Sequence, residues 1–184
     1  MQPNNDPLLG QRLERYQIIN RLGGGGMGAV YKAHDLALQR DVAIKVLHSH
    51  IAGVSHFQER FLQEARTAAR LDHPGIVKVF DFGLQAGLLY IVMEFIPGSN
   101  LRQRLGELQA AEEQMQTEEG MELVAQVAEA LDYAHNQGVF HRDIKPDNIM
   151  LKPRQNSPGS QAIITDLGLA KLAEGGLSTI AGVA

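Results

Sequence analysis

Residues 22–30 read Leu-Gly-Gly-Gly-Gly-Met-Gly-Ala-Val, and what flanks these glycines constrains the fold more than any other stretch. Gly23, Gly25 and Gly28 have G-x-G-x-x-G spacing, which lets backbone N–H groups approach phosphate oxygens with no Cβ in the way. A dinucleotide-binding unit has the same spacing but continues into a helix. Here Tyr16, Ile18 and Leu22 precede the glycines on alternate positions, and Ala29-Val30-Tyr31 follows as a second β pattern. The expected element is strand, glycine turn, strand. A plain glycine-rich hairpin has the same signature, so the motif alone does not decide function.

Val42-Ala43-Ile44-Lys45-Val46-Leu47 predicts a third strand. Lys45 within it is costly to bury without a negative partner. Residues 55–71 turn helical, with Phe57, Phe61, Ala65 and Ala68 as the apolar stripe and Glu64 beside it. His73-Pro74-Gly75 ends that helix. Ile76 to Phe82 and Leu88 to Met93 predict two more strands. Pro97-Gly98-Ser99 breaks the pattern and marks a boundary. From Thr117 a helical period returns, with Met121, Val124, Val127, Leu131 and Ala134 assigned to one face. The Glu-rich stretch 107–122 reads as a solvated loop and helix start. Short strands and loops fill 140–170.

Chemistry concentrates in His141-Arg142-Asp143-Ile144-Lys145-Pro146-Asp147-Asn148. Asp143 can orient or deprotonate an attacking hydroxyl, Lys145 can neutralise a transferring phosphoryl group, and the Asn148 carbonyl oxygen can hold a metal ion. Asp166-Leu167-Gly168 follows the apolar Ala162-Ile163-Ile164. An aspartate at a strand end is a natural metal ligand and equally a natural turn former.

Composition excludes several classes. The 184 residues carry a net charge of -4 and no cysteine. That argues against a nucleic-acid partner and rules out disulfides and thiolate metal sites. No apolar run reaches membrane-spanning length and the start lacks a signal-peptide core. The chain therefore reads as cytoplasmic, with a membrane anchor elsewhere in a longer parent left open.

In this order and spacing, the four motifs resemble the signature set of the protein kinases over residues 16–183. The resemblance implies an α+β, two-lobed kinase-like fold. Residues 1–12, polar and Pro/Asn-rich, read as a loose, flexible lead-in, and the resemblance makes 13–96 an N-lobe of antiparallel sheet plus one helix and 97–184 a partial helical C-lobe. It implies ATP and Mg2+ as cofactors and serine or threonine hydroxyls of proteins as acceptors. Leu22, Gly23, Gly25, Gly28 and Val30 would cover the nucleotide, and Lys45 would contact its phosphates and pair with Glu64. Met93 would stand as gatekeeper, Glu94 and Ile96 would offer backbone groups to the adenine, and Ala43 and Met150 would pack on its faces. Asp143 would be the catalytic base, with Lys145 beside it as in serine/threonine kinases, and Asn148 and Asp166 would hold the metal. Thr179, or Ser178 next to it, would be the activation-loop phosphosite, with Arg142 to receive its phosphate.

The glycine-loop and His-Pro-Gly-Ile-Val strings look most like bacterial members. Leu167 stands where the family usually has phenylalanine, and Val183 where it has threonine. The family's later helices have no counterpart before Ala184, so the chain looks truncated and is expected to transfer phosphate slowly by itself. Two other readings are a non-catalytic nucleotide-binding scaffold and a small-molecule phosphotransferase of similar fold. The full loop with Lys145 and the hairpin glycines argue against the second of these.

Overall fold

The computed structural model describes residues 6–25, 28–47, 55–154 and 159–167. Gly26, Met27, Gly168, Ser178, Thr179 and Val183 lie outside them. Two compact units make up the chain: Met1–Ala65 with Val79–Phe95, and Arg66–Lys78 with Ile96–Ala184.

The first unit is built on an antiparallel sheet. Its strands are β1 (Arg12–Leu13), β2 (Tyr16–Gly25), β3 (Gly28–Asp35), β4 (Arg40–Leu47), β5 (Val79–Gln85) and β6 (Leu88–Glu94), in the order β1-β2-β3-β4-β6-β5. Helix α1 (Ser55–Ala68) follows β4 and buries Phe61 and Ala65 completely. Strand alternation sorts the side chains onto two faces. Tyr16, Ile18, Tyr31, Ile44, Val46, Tyr90 and Val92 form the hydrophobic core on one. Burying each such side chain stabilises the fold by about 2 kcal/mol. β2 does not keep a single register. It shifts between Ile18 and Asn20 and again between Arg21 and Gly23, which takes Leu22 out of the core pattern and leaves it exposed.

The second unit holds α2 (Leu101–Ala110), α3 (Thr117–Asn136), a 3-10 turn (Pro146–Asn148) and a two-stranded hairpin of β7 (Ile149–Pro153) and β8 (Ser160–Ile164). One cluster joins α3 to the hairpin through Leu123, Ile149, Leu151 and Ala162. A second gathers Leu71, Ile76, Ala130, Ala134, Val139, Ile164 and Leu167.

Three readings of the sequence need correction. Met121 and Val124 are exposed, whereas Leu123, Ala130 and Ala134 are buried. Each step of three residues falls 60° short of a helical turn, so two such steps carry Met121 and Val127 onto different faces. The strand expected from Ile76 starts at Val79, because Ile76 instead bridges in parallel to Ile164. Helix α2 was not foreseen. Its Asn100–Gln103 capping box, with both reciprocal bonds formed, and the spacing of Leu101, Leu105 and Leu108 were the available signals.

Candidate active site

On the first unit, the strand register brings the nucleotide candidates onto the face opposite the core. Gly23 pairs with Val30, Val30 with Lys45, Lys45 with Ile91 and Ala43 with Met93. Residues directly opposite share a face, so Val30, Ala43, Lys45 and Met93 stand together. Lys45 is buried and has an interaction partner. Glu64 lies half-buried on α1, and Glu94 closes β6. The three motif glycines differ in surroundings. A Cβ on Gly23 or Gly25 would meet nothing within 4 Å, but on Gly28 it would lie 2.1 Å from the Val46 carbonyl oxygen.

On the second unit, the loop 141–148 is fastened to the residue preceding Asp166. His141, 1% exposed, accepts from the Asp143 N–H at Nδ1 (3.2 Å) and faces the Thr165 carbonyl with Nε2 (2.8 Å). That pattern requires the neutral tautomer with hydrogen on Nε2. The Thr165 N–H donates to the Asn148 carbonyl at 2.9 Å and its hydroxyl at 3.3 Å. Ile164 is held in turn by Gly75 and Val77. Both ends of the arrangement use left-handed backbone, with φ of 66° at Arg142 and 63° at Asp166. Such positions cost about 1–3 kcal/mol each and persist where surrounding bonds over-determine them.

Asp143 is the hub. Its Oδ2 accepts from Lys145 Nζ at 2.7 Å and from Asn148 Nδ2 at 3.2 Å, and its carbonyl accepts a further Asn148 Nδ2 bond at 2.8 Å. With the amide nitrogen committed to Asp143, the acceptor left on the Asn148 side chain is its Oδ1. Met150 lies on the face of β7 opposite Ile149 and Leu151, where it bridges Asn100. Ile96 is buried. Oxygen donors from Asn148 and Asp166 suit a hard cation such as Mg2+, which keeps few protein ligands and completes its shell with water and phosphate.

The protein kinase domain model matches residues 16–183. The chain belongs to the protein kinase family. Its fold is the protein kinase fold, and the sheet-rich unit corresponds to the N-terminal lobe. The chain is 39% identical to serine/threonine-protein kinase PrkC of Bacillus subtilis, covering 89% of this chain and 24% of that one. It is 42% identical to serine/threonine-protein kinase PknJ of Mycobacterium tuberculosis, covering 91% and 28%. The crystal structure of the Mycobacterium tuberculosis PknI kinase domain superposes with a TM-score of 0.74 at 32% identity, covering 90% of this chain and 68% of that one. The chain thus spans about a quarter of the length of these full-length kinases. Among the described residues no helix is long and apolar enough to cross a membrane.

Within this kinase domain the Lys145 hydrogen bond holds the Asp143 carboxyl below its ordinary range, and Asp143 in return raises the Lys145 ammonium. Carbon-detected NMR of Asp143 tests the pairing independently of activity. In Lys145→Met the Asp143 titration midpoint is expected to move up, towards the ordinary aspartate value. A midpoint unchanged or lower would show that the ion pair does not set it. Both side chains are substantially exposed, so the stability contributed by the pair is small. It is present above the unfolded-state pKa of Asp143 and lost as pH falls through the lower folded value.

Proposed function

We propose that this protein is an ATP-dependent serine/threonine protein kinase. The observation that carries the reading is the Asp143 carboxylate, met at one oxygen by both Lys145 and Asn148 on a loop keyed through His141 to Thr165. Mg-ATP supplies the transferable γ-phosphoryl group. Asp143 accepts the hydrogen of a serine or threonine hydroxyl and aims its oxygen at γ-phosphorus. As the new O–P bond forms, the bond to the ADP oxygen breaks and the hydroxyl proton passes to Asp143. A carboxylate held at low pKa is a weak base. Its main work is orientation, which suits a transition state with little charge on the nucleophile.

Lys145 neutralises charge on the moving phosphoryl group. Asn148 and Asp166 hold Mg2+ through oxygen. Lys45 contacts the α- and β-phosphates, with Glu64 as the partner the resemblance assigns to it, and Gly23, Gly25 and Gly28 form the loop over them, with Leu22, Val30, Ala43, Met93, Glu94, Ile96 and Met150 as the adenine environment. The resemblance and the names of the relatives support these roles. The names also favour protein acceptors over nucleic acid or small molecules.

The test is transfer of labelled γ-phosphate to a generic basic protein, followed by phosphoamino-acid analysis, with Lys45→Met as the blank. Label on serine and threonine that depends on Lys45 is expected. Mg-ATP binding with no transfer would instead favour a nucleotide-binding scaffold, and label confined to small molecules would favour a phosphotransferase of another class.

A further inference from the structure

The segment before the sheet carries a carboxylate that neither the core nor the proposed chemistry explains. The Asp6 side chain is 6% exposed. A buried carboxylate is costly unless donors surround it, and here they do. The Tyr31 hydroxyl donates to Oδ2 at 2.9 Å, the Leu8 N–H donates to Oδ1 at 3.1 Å, and Arg21 Nη1 lies 3.5 Å from Oδ2. Burial, then the bond to Asp6, pushes the Tyr31 hydroxyl up to about 12, so it remains a donor throughout the working pH range.

The rest of the segment is docked by other means. Leu8 and Leu9 pack on the core of the sheet. Gly10 N–H donates to the Ile18 carbonyl at 3.2 Å, and Ile18 N–H donates to the Gln11 carbonyl at 3.0 Å.

The two side chains that Asp6 holds face each other across β2 and β3, since Arg21 pairs with Tyr31. Arg21 also stands at the register shift that leads into Gly23. Its guanidinium lies against the next glycine but one, where a Cβ on Gly24 would come within 2.6 Å of Nη2. A continuous path therefore runs from the Asp6 carboxylate through the Arg21 guanidinium to the Gly24 backbone, entirely within the first unit. We propose that Asp6 is a positioning residue for the glycine loop: by aiming Arg21 onto Gly24 it fixes the backbone of residues 23–25 and so sets affinity for the phosphates of ATP. The phosphate part rests on the kinase reading above. The link from Asp6 to the loop does not.

Two readouts separate the two. Amide hydrogen exchange at Gly23, Gly24 and Gly25 without nucleotide reports loop order, and calorimetry with Mg-ATP reports affinity. In Asp6→Ala, exchange at these amides is expected to quicken and the Mg-ATP Kd to weaken about fivefold, the low end for coupled sites. Arg21→Ala should do the same, and the double variant no more than either, because both break one path. Leu9→Ala, which loosens the docked segment by packing alone, should lower the melting temperature and leave exchange and Kd unchanged.

Asp6→Asn keeps an oxygen for Tyr31 and Leu8 but loses the charge that holds Arg21. It is expected to reproduce the loop effect with less loss of stability, and it carries the test should the alanine variant fail to fold. Asp6 variants that change melting temperature alone, or effects at Asp6 and Arg21 that add, would overturn the proposal. A wild-type protein that binds no Mg-ATP would remove the kinase reading, while the exchange measurement would still decide whether Asp6 orders the loop.

Discussion

Asp143→Asn is expected to lower the phosphotransfer rate by roughly 10²- to 10⁴-fold, the range for loss of a positioned acid–base group, with the fold and Mg-ATP affinity nearly unchanged. The substitution is close to isosteric, and the backbone bonds of the loop do not involve the Asp143 side chain. His141 still accepts the residue 143 N–H, and Asn148 still reaches the residue 143 carbonyl. What disappears is the negative oxygen shared by Lys145 and Asn148. The melting temperature should therefore shift by about 2 °C or less, as for a partly exposed pair. Single-turnover kinetics separates binding from chemistry. A variant with wild-type rate would remove Asp143 from the reaction. A variant with equal losses of rate and of thermal stability would make the residue a structural one.

The second large effect concerns a glycine whose role differs from that of its motif neighbours. Gly28→Ala is expected to destabilise the protein by roughly 3 kcal/mol, the upper part of the range for overpacking, and to lower the melting temperature by about 10 °C for a domain of this size. The added methyl would face backbone on every side: the Val46 carbonyl oxygen at 2.1 Å, with Val46 C and Leu47 Cα at 3.0 Å. No side-chain rotation relieves that contact, so β4 must move away from β3 and carry Lys45 with it. Gly23→Ala and Gly25→Ala put a methyl into open space, so their stability should stay within about 1 kcal/mol. Their expected cost is weaker binding of Mg-ATP, since a Cβ there stands between amide and phosphate. Thermal melts and nucleotide titrations on the three variants check this division. Equal stability across them would show that β3 and β4 approach each other less closely than the geometry indicates.

Much of this was legible because local pattern and global fold agree. The β patterns on both sides of the glycines, the apolar strand around Lys45 and the helical period from Thr117 all describe elements that form. The errors have physical causes. Ile76 and Val77 are as apolar as strand residues, but their partner is Ile164, far along the chain, and no local pattern shows it. Helix α2 is half polar, contains Gly106 and fully buries only Leu108, so the short stripe of Leu101, Leu105 and Leu108 is a weak signal that the Asn100 cap reinforces. At the site, the string at 141–148 indicated which groups could react. It did not show that His141 is the buried bolt between the loop and Thr165, nor that Arg142 and Asp166 take left-handed backbone. Asp6 looked like part of a loose lead-in because its donors, Tyr31 and Arg21, are adjacent to it only after β2 and β3 pair.

The second unit is discontinuous in sequence: Arg66–Lys78 belongs to it, but the chain then returns to the first unit for β5 and β6. A ribosome makes the chain in order, at about 5–20 residues per second. Leu71, Ile76 and Val77 are therefore synthesised long before α3 and β8 exist to cover them. The Gln161 amide, for example, bonds to the Pro74 carbonyl across a separation of 87 residues. For roughly ten seconds at those synthesis rates, this apolar segment hangs from a sheet that is itself still gaining strands. The nascent chain is thus an expected client for chaperones that hold short apolar stretches. The loop bearing Asp143, whose anchor at Ile164 waits on the same closure, takes its working shape only after β8 has been made.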